Sequence, residues 1–384
     1  MKKTEARQSN LEALRIVSML LIVMSHSDDI FGLYDLYSIS LGYNKIITDW
    51  LHIGGQIGVG CFILISGYFM VEKNTSVKKL LILAGEVWCY TIGIWIVWVV
   101  YNVCQGQIIL RECLIEAIYA FFPILFSHYW FVTAYIILMI LSPFLNKFIF
   151  SLDKYNYQKF LGCLIVIFVV LLGGIPNILK NMSQGRLLGV FIMYFIAGYI
   201  RRFCCIELGD SGKHLKIAFF FYFLLFTICY GFTYLGIILN SKTILDNRYF
   251  YRALNSPIVV VICIELFMFF LKLNIKYNKG INRIAGCTFG VYLLHSNRLV
   301  DTYLANLFPI YQESNTYLVF IYSVVSVVMI YAVCSIIDYI RKKLIERIWI
   351  KIIDKHWMVV HNKMERVLKE ISLKWNKRDH KWQV

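Results

Sequence analysis

Residues 12–26 read Glu12-Ala-Leu-Arg-Ile-Val-Ser-Met-Leu-Leu-Ile-Val-Met-Ser-His26, an apolar run that carries two side chains able to bear positive charge, Arg15 and His26. Eleven residues at about 100° each complete almost three turns, so a helix places Arg15 and His26 on one face, roughly 16 Å apart along its axis. Glu12 precedes Arg15 by almost one turn and is expected to pair with the guanidinium. The stretch therefore predicts a membrane helix with one polar stripe.

A charged side chain near the bilayer centre costs about 3 kcal/mol on insertion scales, so this stripe is expected to face protein or water. Two interpretations stay open for each residue alone. Arg15 is either a snorkelling anchor or part of a site, and His26 is either a neutral histidine bonded to a neighbouring helix or a functional group. The pair at this spacing favours function.

The composition indicates the protein class. Of the 384 residues, 59% are hydrophobic, above the roughly 45–50% usual for soluble domains. We predict an all-α, polytopic integral membrane protein with an uncleaved first span. The formal net charge of +16 is spread over alternate loops and the C-terminal tail, which is a membrane-topology signal and argues against a nucleic-acid partner. The eleven cysteines show neither a disulfide framework nor zinc spacing, and no metal site is predicted.

Apolar windows of about 20 residues predict roughly ten spans. Every second loop is basic, so both termini are expected in the cytoplasm. We divide the chain into a transmembrane domain, 1–340, and a basic amphipathic cytoplasmic tail, 341–384. Residues 108–127 are apolar but interrupted by charges and a proline, and predict an amphipathic or re-entrant helix rather than a span. The predicted spans are 11–30, 50–70, 80–101, 129–148, 159–175, 187–201, 216–238, 256–272, 281–299 and 316–340.

Three further features of the sequence concern helix packing or polar side chains that have more than one interpretation. In the second span, Gly54 and Gly58 are spaced for close helix approach, with Gln56 able to bond across that contact. Glu265 is an intramembrane carboxylate, hence a candidate substrate-binding residue or simply the partner of a nearby cation. Lys242, Arg248 and Arg252 make the seventh loop an exception to the charge rule. They are either solvated loop charge or a site for an anionic glycan or lipid diphosphate.

Several segments together resemble the membrane acyltransferase type 3 family, which acylates sugars, mostly with acetyl groups from acetyl-CoA. The Asn10 lead-in and the fourth-span pattern resemble members that modify bacterial surface polysaccharides. The resemblance covers spans one, two, four and nine in order. It rests on Arg15 with His26, Gly58-Val-x-x-Phe62 followed by Ser66-Gly67-Tyr68, Tyr129-Trp130-Phe131 with Ser142-Pro-Phe-Leu-Asn146, and Tyr292-Leu-Leu-His295.

The resemblance implies a bacterial cytoplasmic-membrane enzyme that moves an acetyl group from acetyl-CoA to a polysaccharide or lipid-linked sugar. His26 would act as general base, since a histidine with its ordinary pKa near 6.5 suits proton removal near neutral pH. Arg15 would assist, and His295 and Tyr292 would orient His26 or polarise the thioester. An acyl-histidine relay remains open as a variant.

Donor and acceptor contacts follow from the same resemblance. Arg15, Ser66, Lys78 and Lys79 would meet acetyl-CoA, although family members usually carry arginines where this chain has the two lysines, and loop charge is an equal alternative. Among the outer aromatics, Tyr129 and Trp130 would stack on sugar rings. These aromatics can also be an interfacial belt.

Two rival functions are a polysaccharide transporter or flippase and a polysaccharide polymerase. The first predicts no dependence on acetyl-CoA and gives no reason for Arg15 and His26 at their spacing. The second usually has a large outer loop, which the predicted spans leave no room for. The remaining expected partner is the lipid bilayer, and a homo-oligomer is compatible with the sequence.

Overall fold

The computed structural model describes residues 8–357 except 38, 74, 108, 127–128, 176–184, 206–207, 209 and 308–314, together with 363 and 366. This part of the chain is helical, with no strand. His128, the first seven residues and most of the predicted tail lie outside the described residues. The helices are α1 Ser9–Ile30, α2 Leu33–Leu36, α3 Tyr43–His52, α4 Gly55–Met70, α5 Val77–Cys104, α6 Leu110–Phe121, α7 Trp130–Ser151, α8 Lys154–Leu164, α9 Leu172–Gly174, α10 Gly185–Phe203, α11 Gly212–Ile238, α12 Lys242–Asp246, α13 Pro257–Lys272, α14 Lys279–Gly286, α15 Thr288–His295, α16 Arg298–Leu307 and α17 Thr316–Arg341.

Within the described residues, seven helical segments are long and apolar enough to cross a membrane. They correspond to seven of the ten predicted spans, so the structure supports a multi-pass membrane protein but not a count of ten. Two of the other three predicted spans, in α1 and α10, form helices of 22 and 19 residues that carry charged side chains. The seven are Tyr43–Met70, Val77–Cys104, Trp130–Ser151, Lys154–Gly174, Gly212–Ile238, Lys242–Lys272 and Thr316–Trp357.

The predicted ninth span, 281–299, is wrong as a continuous helix. It is divided into α14 and α15 at Cys287, and α15 ends at His295. The Gly286 carbonyl at this break accepts a hydrogen bond from the Lys342 ammonium. A carbonyl bonded to a side chain is satisfied without continuing the helical ladder, which allows the interruption.

Helix α4 is the central element, and its glycines allow three other helices to approach. A Cβ at Gly58 would overlap the backbone oxygen of Ser18 in α1, and one at Gly60 would lie 2.5 Å from Cys263 Sγ in α13. A Cβ at Gly67 would lie 3.0 Å from Ala197 in α10. The predicted small-residue packing of α4 is therefore confirmed.

The basic loops predicted on one side of the membrane gather at one end of the bundle, here called the Arg15 end. There Asn10 Nδ2 donates to the carbonyl oxygen of Phe270 at 3.1 Å, and Arg201 pairs with Glu72 at 2.5 Å. The opposite end of α1 is called the His26 end. Which end faces the cytoplasm stays a prediction from the charge pattern.

Two peripheral segments complete the fold. The predicted amphipathic helix within 108–127 is present as α6, which packs on α5 where Trp95 Nε1 donates to the Cys113 carbonyl at 3.2 Å. Helix α17 continues through a π-helical turn, Lys342–Glu346, to Trp357. The helix is continuous across residue 341, where the sequence analysis places the boundary between the transmembrane domain and the cytoplasmic tail. That boundary stays a prediction.

Candidate active site

His26 and His295 meet at the His26 end of the bundle. His26 Nδ1 lies 3.0 Å from His295 Nε2, and the two ring centroids are 5.1 Å apart. His26 is on α1 and His295 is the last residue of α15, 269 positions later. The two histidines, which the resemblance places in one site, are thus in direct contact.

The hydrogen bonds around the pair determine which ring nitrogens carry protons. His295 Nδ1 lies 2.6 Å from the Val291 carbonyl oxygen, which only accepts, so Nδ1–H donates there. In a neutral imidazole, His295 Nε2 is then the acceptor, and His26 Nδ1–H donates to it. His26 Nε2 consequently carries the unprotonated lone pair, which is the atom a general base requires.

Ser296 adds a third group to the pair. Its hydroxyl oxygen lies 3.1 Å from His26 Nδ1 and 3.3 Å from His295 Nε2. The hydroxyl can accept from the first nitrogen and donate to the second, and both bonds preserve the same tautomers. Sequence reasoning did not select Ser296, although it directly follows His295.

A cavity of about 150 Å³ opens beside His26. It lies between α1, α4, α7, α10 and α15, and it is lined by both apolar and polar side chains. Among the predicted site residues, His26, Tyr292 and Trp130 line it. Its other lining side chains include Gln56, His52, Arg186, Arg252, Phe62 and Asp29.

Gln56 departs from its expected role. The sequence suggested a bond across the α1–α4 contact, but the side chain lines the cavity and its buried Oε1 has no hydrogen-bond partner in the described part of the chain. A buried carbonyl oxygen without a donor is unfavourable by about 1–3 kcal/mol. A ligand hydroxyl in the cavity would satisfy it.

Two guanidinium groups lie at the cavity, each over an aromatic ring. Arg186 Cζ is 5.1 Å from the centroid of Trp130, and Arg252 Cζ is 4.2 Å from that of Tyr249. Arg186 forms no ion pair with the described residues. Its guanidinium group lies over the Trp130 ring, so this cation and this aromatic ring are presented to the cavity together. Arg252 comes from the loop whose charge was noted in the sequence.

Negative charge near the cavity is limited. Asp29 is its lining carboxylate and is 56% exposed. Nearby, in α16, burial and the charge of Asp29 raise the pKa of Asp301 to about 7. Because a raised pKa favours the protonated form, Asp301 is partly neutral at pH 7 and becomes fully charged only at higher pH.

Tyr129 holds α15 instead of facing the cavity. Its buried hydroxyl donates to the Leu293 carbonyl oxygen at 2.8 Å and accepts from Asn297 Nδ2 at 2.8 Å. These bonds fix the end of α15 that carries His295. The predicted stacking of Tyr129 on a sugar has no support in this geometry.

Arg15 pairs with Glu12 as expected, with Nη1 at 3.0 and 2.9 Å from the two carboxylate oxygens. Its guanidinium carbon lies 5.6 Å from the ring centroid of Phe62, which also lines the cavity. Phe62 therefore stands between Arg15 and the cavity of His26. Arg15 thus contacts a side chain of the cavity that His26 lines.

The other predicted donor contacts lie away from the cavity. Ser66 is buried in α4, beside the Gly67 contact with α10. Lys78 pairs with Asp354 of the helix that follows α17, and Lys79 is exposed. Contact of these residues with the phosphates of acetyl-CoA stays a prediction.

Glu265 also lies outside the cavity. Its Oε2 is 2.7 Å from His214 Nδ1 of α11, and both side chains are 20% exposed. Pairing with a nearby group was the alternative stated for this carboxylate. Its predicted contact with substrate has no support in the geometry, and the described residues hold no cluster that could bind a metal ion.

A family model described as an acyltransferase domain matches residues 8–339. Comparison with curated proteins and with solved structures finds no match. The matched range contains every helix that lines the cavity, together with the His26–His295 pair. It covers most of the chain and ends within the last turn of α17.

Proposed function

The chain belongs to this acyltransferase family, and from that premise we propose that it moves an acetyl group from acetyl-CoA to a hydroxyl of a cell-surface polysaccharide or lipid-linked sugar. The observation that carries the proposal is the His26–His295 pair, which leaves His26 Nε2 unprotonated at a cavity. Such a base contributes typically about 10²–10⁴-fold to a proton-transfer step.

In the proposed reaction, His26 Nε2 takes the proton of the acceptor hydroxyl as its oxygen attacks the thioester carbonyl carbon. The carbon–sulfur bond then breaks, and the proton on His26 passes to the departing thiolate. The products are an acetyl ester and free CoA, with no net change in protons. His295 stabilises the imidazolium because its Nε2 accepts from His26 Nδ1–H throughout.

Donor and acceptor are proposed to enter from opposite ends. The basic loops at the Arg15 end suit the phosphates of acetyl-CoA, with Arg15, Lys78 and Lys79 as contributors and Ser66 on the same helix as Phe62. The acceptor would enter at the His26 end, where Trp130 and Tyr292 line the cavity. This arrangement fits an enzyme of the bacterial cytoplasmic membrane with cytoplasmic termini.

The direct test uses purified protein in sealed proteoliposomes with labelled acetyl-CoA added to one face and a glycan from the native host. We expect label in an ester that mild base releases, and only when acetyl-CoA reaches the face that carries the Arg15 end. Movement of glycan across the membrane without ester formation, from any of several CoA thioesters, would instead favour the transporter.

Replacement of His295 by alanine is expected to lower kcat by about 10–100-fold, by analogy with the loss seen when a residue that orients a metal-ligating histidine is removed. KM for acetyl-CoA should not change, because His295 contacts His26 and does not line the cavity. His295→Gln keeps an acceptor oxygen and should restore part of kcat. The measurement is steady-state acetyl transfer by all three proteins at matched membrane levels.

Ser296→Ala is the matched control for that experiment. It removes a hydroxyl from the same cluster but leaves the 3.0 Å contact between the histidines. We expect a smaller loss than for His295→Ala. An equal loss, or an increase of KM for acetyl-CoA in His295→Ala, would contradict a positioning role.

A further inference from the structure

The lining of the cavity beside His26 carries net positive charge. Arg186 and Arg252 line it on the side away from Arg15, and both guanidinium groups are oriented by the aromatic rings beneath them. Asp29 is the carboxylate that lines the cavity, and it is more than half exposed. The lining therefore carries more positive than negative charge around the proposed base.

The neighbouring acidic residue does not offset this excess. Asp49, in α3 beside the cavity, is bound by Lys45 at 2.7 Å, and both side chains are almost fully buried. The Tyr249 hydroxyl also donates to Asp49, at 2.8 Å. Asp49 is thus neutralised locally, while Arg248 and Arg252 lie over the ring of Tyr249 at 4.9 and 4.2 Å.

The size of the cavity limits what it can hold. Its volume of about 150 Å³ is below the roughly 300–1,000 Å³ of pockets that enclose a drug-sized ligand. In acetyl-CoA, a long pantetheine arm separates the diphosphate from the thioester, so the phosphates cannot occupy this small space while the thioester is at His26. The positive charge of the lining therefore faces the other reactant, the acceptor.

Resting on the proposed function, we propose that the acceptor is an anionic sugar, whose carboxylate or phosphate binds Arg186 and Arg252 while a neighbouring hydroxyl reaches His26. Guanidinium groups suit both anions because they offer paired donors in one plane. A second sugar hydroxyl donates to Gln56 Oε1, the buried acceptor that has no partner among the described residues. Trp130 contributes an aromatic wall to the same space.

The test compares matched acceptors with purified protein in nanodiscs. The carboxylate arm pairs methyl glucuronide with methyl glucoside and methyl galacturonide with methyl galactoside, and the phosphate arm uses glucose 1-phosphate. We expect KM for at least one anionic member to be about 10–100-fold below that of its neutral partner, as a charge-assisted hydrogen bond of roughly 1.5–3 kcal/mol implies. The arm that shows the difference identifies the anion.

Arg186→Gln should abolish that difference, and Arg186→Lys should keep part of it, while KM for acetyl-CoA stays unchanged. Lys242→Gln, which removes an exposed cation of α12 outside the cavity lining, is the matched control and should behave as wild type. Equal KM values for every anionic and neutral pair would overturn the proposal. A raised KM for acetyl-CoA in Arg186→Gln would also overturn it, because the arginine would then serve the donor.

Binding without catalysis separates this proposal from the proposed function. Thermal stabilisation by each sugar is measured in the absence of acetyl-CoA, with wild type and Arg186→Gln. Stabilisation of wild type alone by an anionic sugar supports the anion site even if no acetyl transfer is found. Acetyl transfer with no preference for anionic sugars leaves the transferase standing and refutes the anion site.

Discussion

Replacement of His26 by alanine is expected to lower acetyl transfer by about 10²–10⁴-fold, the contribution of a positioned general base. His26 Nδ1 is occupied by the bond to His295, so the base function rests on Nε2 alone. Ser296 and His295 remain in the variant, but His295 Nδ1 is committed to the Val291 carbonyl, and neither residue lines the cavity. Transfer is measured as base-labile label from acetyl-CoA, with equal amounts of inserted protein.

His214→Ala is the control for His26→Ala. His214 is also a partly buried histidine with a short hydrogen bond, but its partner is Glu265 and it does not line the cavity. This variant should transfer acetyl groups at the wild-type rate. Activity of His26→Ala comparable with that of His214→Ala would remove His26 from the chemistry, and an acetyl adduct on His26 of the wild type would indicate the relay instead of direct transfer.

The first helix shows how much a local pattern can predict. The 3.6-residue period placed Arg15 and His26 on one stripe, and the structure has both residues reaching Phe62 or the cavity that it lines. The same period and charge rule located seven apolar spans and the Arg15–Glu12 pair. These features depend on residues close in sequence, which is why they could be predicted from the sequence alone.

Tyr129 and Arg186 show where such patterns stop. An aromatic residue at the start of a helix suggests an interface or a sugar platform, yet Tyr129 bonds to Leu293, 164 positions later. Nothing near Arg186 in sequence indicates that it covers Trp130, 56 positions earlier. Both outcomes depend on which helices become neighbours, and a single sequence carries no direct record of those contacts.

The break between α14 and α15 has the same origin. Its apolar sequence predicted one continuous span, but the Lys342 ammonium, 56 positions later, bonds to the Gly286 carbonyl at the interruption. Lys342 also lies 3.0 Å from Asp338 Oδ2. The break that precedes the helix carrying His295 is therefore contacted by Lys342, which is in turn paired with the buried Asp338 of α17.

Replacement of Asp338 by alanine is expected to lower the free energy of unfolding by about 3–5 kcal/mol, as when one member of a buried ion pair is removed. Asp338 is fully buried, and its Oδ1 accepts from Tyr90 at 2.6 Å and from Arg341 Nε at 2.9 Å. Without the carboxylate, the buried Arg341 keeps Glu86 at 2.7 Å and Glu346 at 2.9 Å but loses the one fully buried member of the three carboxylates that pair with it. The Tyr90 hydroxyl also loses its acceptor. Unfolding is followed by denaturant titration in mixed micelles.

Asp338→Asn should lose less stability than Asp338→Ala, because the amide oxygen still accepts from Tyr90 although the charge is gone. Asp354→Ala is the matched control: Asp354 also pairs with a lysine, Lys78, but its side chain is 51% exposed. An exposed pair contributes only about 0–1 kcal/mol, so this variant should unfold almost as wild type does. Equal losses from Asp338→Ala and Asp354→Ala would show that the buried group contributes no more to stability than a surface pair.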